Sequence, residues 1–114
     1  MVVKSVVNKS ALKISIIQNI DKQVPLEDIA YGKNLDFDEL LTEIESIVAS
    51  GTHIDIKYYT RDNIDEYHQE DIIEYFKTAE SDDLDTAMKA LGENEYEEEE
   101  VRLMRIQFMS EVGN

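Results

Sequence analysis

One proline and four isolated glycines punctuate this chain, and the apolar residues between them recur mostly at helical spacing. Gly32, Gly51, Gly92 and Gly113 each follow a helical pattern. Glycine favours the position just past a helix end because it accepts positive φ without a Cβ clash. Pro25, the only proline, stands where a helix would start, and there its missing N–H costs nothing. These five residues mark helix boundaries before any propensity is consulted.

The apolar periods fill in the segments. Leu12, Ile16, Ile17 and Ile20 make a first helical face. A short second helix runs from Pro25 to about Tyr31, with Ile29 and Ala30 inward. Phe37, Leu40, Leu41, Ile44, Ile47 and Val48 follow the i, i+3, i+4, i+7 rule, and Asp36 with Glu39 stands in capping-box positions ahead of them. After Gly51 the period changes. Ile54, Ile56 and Tyr58 alternate with Asp55 and Lys57, which predicts a short half-buried strand. Three helices are expected beyond it, over about 65–79, 83–91 and 97–112. The last is apolar over a wide face, which predicts a central place in the core.

The predicted fold is therefore mostly α. Residues 1–10 read as a linker or tail and residues 11–60 as a helix-turn-helix, winged-helix-like unit with one short strand segment. Residues 61–114 read as an acidic extension of three helices packed on that unit as one compact domain. One domain is the natural expectation for 114 residues. No run approaches the ~18 apolar residues of a membrane span, and the start lacks a signal-peptide pattern. With no cysteine, disulfides, thiolate zinc sites and cysteine catalysis are excluded, and a cytoplasmic setting is expected.

Chemistry is narrowed by elimination. No GxxxxGK[ST] or GxGxxG occurs, so this chain is not expected to bind ATP as a P-loop enzyme does. His53 and His68 belong to no metal-binding pattern. Asp82, Asp83 and Asp85 lack the central glycine of a calcium loop and read as helix-start carboxylates. No GxSxG supports a nucleophilic serine. No catalytic, cofactor-binding or metal-binding residue is expected.

The net charge is −15, unevenly spread. Residues 1–22 carry four Lys against one Asp, whereas residues 61–114 carry five basic against seventeen acidic residues. Two surfaces are candidates for contact. Lys4, Lys9, Lys13 and Lys22 form a basic N-terminal end suited to DNA phosphates. Glu97, Glu98, Glu99 and Glu100 form an acidic face suited to a basic protein partner, or simply complement the dipole of the last helix.

Leu26–Tyr31, a tight turn at Asn34 and Phe37–Ser50 have the layout of a helix-turn-helix. A groove-reading second helix presents polar or basic residues near its N-terminus. This one presents Asp38, Glu39, Thr42, Glu43, Glu45 and Ser46, with no Lys or Arg. Its carboxylates would repel phosphate at contact distance.

The stretch VPLEDIAYGKNLDFDELLTEIESIVASGTHIDIKYY resembles the helix-turn-helix module at the C-terminus of bacterial RecQ-type DNA helicases. The tail from EYHQEDIIEYFKT to the end resembles that of the long RecQ proteins of the Bacteroides group. The resemblance implies an accessory domain of an ATP-dependent 3′–5′ helicase of recombination and repair. ATP and Mg²⁺ would belong to the parent motor, since no position here matches a Walker A lysine or a DExH box. DNA would be a partner through the parent protein, alongside the remaining helicase domains. An acidic interaction or autoinhibitory module without DNA contact, and a free-standing enzyme, are the competing readings.

Overall fold

The computed structural model describes residues 4–112, with side chains from Ser10 onward. Seven helices are present among them. They are α1 (Lys4–Asp21), α2 (Leu26–Gly32), α3 (Phe37–Ala49), α4 (Lys57–Asn63), α5 (Glu66–Thr78), α6 (Leu84–Leu91) and α7 (Glu98–Val112). Helix α1 starts at Lys4, inside the stretch expected as a linker. Gly113 lies outside the described residues.

The first three helices end in the same way. Gln23, Asn34 and Gly51 take φ of 62°, 61° and 98°. At each, two backbone bonds close the helix end: Gln23 N–H to Ile20 O and Val24 N–H to Asn19 O, then Asn34 to Tyr31 and Leu35 to Ala30, then Gly51 to Val48 and Thr52 to Ile47. This is the Schellman arrangement, which satisfies carbonyls that the helix leaves unpaired. Gly32, expected just past the end of α2, is instead its last residue, and Asn34 makes the left-handed turn.

Helix starts follow side-chain chemistry. Asp36 accepts from the Glu39 N–H at 2.7 Å while Glu39 Oε1 accepts from the Asp36 N–H at 2.9 Å, closing a capping box. Asp65 caps α5, and Asp83 caps α6 by accepting from both the N–H and the hydroxyl of Thr86.

The short strand is not present among the described residues. Residues 52–56 form neither helix nor strand, and α4 begins at Lys57. The alternation reported burial correctly, since Ile54 and Ile56 are buried and Asp55 is exposed. Burial alone does not make a strand. The Ile54 N–H donates to a side chain, Ser110 Oγ, at 2.6 Å, and no second extended segment lies beside it. The residues read as a wing thus become an anchor on α7, followed by a helix whose tyrosines face back. Tyr58 Oη donates to Val24 O and Tyr59 Oη to Glu27 Oε2.

Helix α7 packs on α3, α4, α5 and α6, as its wide apolar face leads one to expect. His68 meets Glu100 and the Phe76 ring stacks on Phe108, so α5 and α7 run in the same direction. One set of buried side chains, from Ile16 to Ile106, links the helix-turn-helix half to the C-terminal half. Among the described residues no helix is long and apolar enough to cross a membrane.

Candidate nucleic-acid interface

In a helix-turn-helix the outward polar face of the second helix is the surface that would enter a DNA groove. Here that face belongs to α3, and its polar side chains are already engaged within the protein. Arg102, on α7 and only 8 % exposed, reaches across it. Its Nε donates to Glu45 Oε2 at 3.1 Å and its Nη2 to Glu45 Oε1 at 2.9 Å, a bidentate fork. Nη1 donates to Asp38 Oδ1, and Nη2 also donates to Thr42 Oγ1 at 3.2 Å. Arg105, one turn on, lies 3.9 Å from Glu45 and 3.5 Å from Asp82, and its Nε donates to the Asp82 carbonyl.

The other side of α3 is held by α1. Lys13 Nζ donates to Glu43 at 3.0 Å and to Ser46 Oγ at 3.1 Å. Glu39 is the capping partner of Asp36. All six side chains expected on the outward face are therefore bonded within the chain. Three of its carboxylates, Asp38, Glu43 and Glu45, are met by the protein's own cations. The Glu45 and Asp38 hydrogen bonds raise the Arg102 guanidinium pKa further, so its charge is permanent.

Of the four lysines of the basic end, Lys13 and Lys22 have described side chains, and these two do not share one face. Lys13 is spent on Glu43 and Ser46. Lys22 is exposed, with no ion pair among the described residues. Nine residues at 3.6 per turn set Lys13 and Lys22 on roughly opposite sides of the α1 axis. The side chains of Lys4 and Lys9 lie outside the described residues.

The acidic run divides as well. Glu97, Glu98 and Glu99 are exposed at the start of α7, where the helix dipole favours negative charge. Glu100 turns inward. It accepts from the Glu97 N–H and pairs with His68 Nδ1 at 3.1 Å, which raises the His68 pKa above its ordinary value. Partial burial, followed by the nearby charges of Glu97 and Glu27, raises the Glu99 pKa. A cleft of about 190 Å³ lies beside it, lined by Asp38, Leu41, Glu98, Glu99 and Arg102.

Arg102 is the residue that sequence reasoning passed over. Its signal was present: a permanent cation between Val101 and Leu103 in a helix with a wide apolar face needs a carboxylate partner if it is buried. Which carboxylate it meets depends on how α7 crosses α3.

A search of curated proteins finds no match to the chain. Residues 10–60, somewhat less than half of the chain, match the family model of the RecQ-1-like helix-turn-helix domain, so the segment holding α2 and α3 is similar to the helix-turn-helix module of RecQ-type helicases.

Proposed function

We propose that the chain is a non-catalytic accessory domain of a RecQ-like ATP-dependent 3′–5′ DNA helicase acting in recombination and repair. In this reading the motor, with its ATP and Mg²⁺, lies in the parent protein, and the module works in the cytoplasm beside the remaining helicase domains. The tail's likeness to long Bacteroides-group RecQ proteins belongs to the same reading. The module positions the motor or recruits partners, and DNA is met through the parent rather than through α3. The match of residues 10–60 to the RecQ-1-like helix-turn-helix model supports the helicase setting, and the pairing of α3 carboxylates with Arg102 and Lys13 supports DNA being met elsewhere than through α3.

Fluorescence anisotropy with single-stranded, duplex and forked DNA tests it. The expected result is weak binding at low salt, weakened further by Lys22→Glu and abolished at moderate salt. Tight duplex binding that survives moderate salt and is lost on substituting Thr42 would overturn it.

A second reading, an acidic interaction or autoinhibitory module without DNA contact, is favoured by the exposure of Glu97, Glu98 and Glu99. Reversing those three charges and comparing captured partners tests it. An unchanged set of partners counts against it.

A further inference from the structure

Parallel packing of α5 and α7 leaves a groove between them, of about 320 Å³. Ile73, half-buried, contributes apolar surface to it, and the buried Met104 lies in its lining; Gln69 and Gln107 contribute amides, and Glu70, Glu74 and Lys77 stand along α5. Neither glutamine is idle. The Gln69 amide donates to the Thr60 and Ile64 carbonyls, and Gln107 Oε1 accepts from Thr60 Oγ1. Both are therefore held in place. The Gln107 Nε2 amide has no bond among the described residues, which leaves a donor at the groove for an incoming carbonyl.

The charge along the groove has one dominant sign. Glu66, Glu70 and Glu74 follow at four-residue intervals on α5, so they form one exposed stripe. Lys77 is exposed and paired with Glu74 at 3.5 Å, which leaves the stripe net negative. This combination selects among occupants. A nucleic acid would bring phosphates against Glu70 and Glu74 in the groove, with Glu66 one turn further along α5. An acidic peptide meets the same repulsion, and a neutral apolar peptide leaves the rim unused.

We propose that the α5–α7 groove docks a basic segment of a partner protein. An apolar side chain of that segment sits against Ile73, and flanking Lys or Arg side chains meet Glu70 and Glu74. The acidic rim steers the partner in, and the apolar seat holds it. The proposal deepens the recruitment role above by naming its surface and the chemistry of its partner. It also sets that surface apart from Glu97–Glu99.

The full chain, labelled with nitrogen-15, is titrated with the peptide KRLLKRLLKR while amide shifts are followed. Shifts are expected at Ile73, Met104 and the Gln69 and Gln107 side-chain amides. Glu70→Lys with Glu74→Lys is expected to weaken binding by at least about tenfold, and Ile73→Ser by a similar factor. Both glutamates are exposed, and a preserved amide spectrum shows that the variants remain folded. Three results would overturn the proposal: shifts confined to Glu97–Glu99, undiminished binding by the reversed variant, or equal binding of a peptide with serine in place of leucine. A thymidine oligonucleotide that shifted the same groove amides would overturn it too. The three peptide results leave the DNA anisotropy outcome untouched, so the two readings fail separately.

Discussion

Arg102 joins the two halves of the chain through one side chain. It is buried, forks onto Glu45, and also reaches Asp38 and Thr42. Asp38 is largely exposed, so its share is reduced by solvent. Glu45 is only 23 % exposed, and losing its partner leaves a poorly solvated carboxylate. Arg102→Ala is therefore expected to cost about 2–3 kcal/mol in urea denaturation, somewhat less than the ~3–5 kcal/mol of a fully buried pair because Asp38 is exposed. Arg102→Lys should recover less than half of that, because an ammonium cannot make the planar two-point contact. A loss below about 0.5 kcal/mol in the alanine variant would mean that the fork contributes little. Legibility at this scale depended on residue type. Asn34 announced its left-handed turn, since asparagine tolerates that conformation. Gln23 adopts it as well, but glutamine carries no such preference, and its place follows from how α2 returns onto α1.

Among elements, long helices with caps were readable and the short connection after Gly51 was not. The Asp36–Glu39 box and the caps at Asp65 and Asp83 are local chemistry, written within four residues of chain. Whether residues 54–58 form a strand is not local, because a strand needs a neighbour. The neighbour here is Ser110, more than fifty residues away, and it offers a hydroxyl rather than a backbone edge. The tie between α5 and α7 is likewise tertiary. His68 pairs with Glu100, lies against the Tyr96 ring at 4.4 Å, and feels Asp65 and Glu95; Tyr96 in turn donates to Asp71. The Glu100 hydrogen bond raises the His68 pKa in the folded state above 6.5. A raised histidine pKa gives stability that is fully present below the unfolded value and lost as pH rises through the folded one. Melting temperature should therefore fall as pH rises from about 6.5 through the raised value, and His68→Gln should flatten that fall. Calorimetry of both proteins across this interval tests it; parallel curves would show that the pair does not couple to folding.

Across the whole molecule, net charge and fold pull against each other. A charge of −15 on 114 residues makes the folded chain repel itself, most strongly over the C-terminal half. The sequence showed this imbalance but not its internal remedy. Lys13, Arg102 and Arg105 carry cations onto the acid-rich face of α3, so that its carboxylates Asp38, Glu43 and Glu45 are paired although part of the face stays exposed. A single core joins both halves, so unfolding should be one cooperative transition, with coincident traces for helix content and tyrosine fluorescence. Salt should stabilise it. Raising ionic strength from about 20 mM to about 200 mM shortens the Debye length from above 20 Å to below 8 Å, which screens the long-range repulsion. The Arg102 fork, shielded from solvent, loses less than exposed pairs such as Lys57–Glu111. The melting temperature should thus rise with salt, and rise further in Arg102→Ala, where uncompensated carboxylates on α3 add to the repulsion. A melting temperature that falls with salt would mean that ion pairs, not repulsion, dominate the electrostatics of this fold.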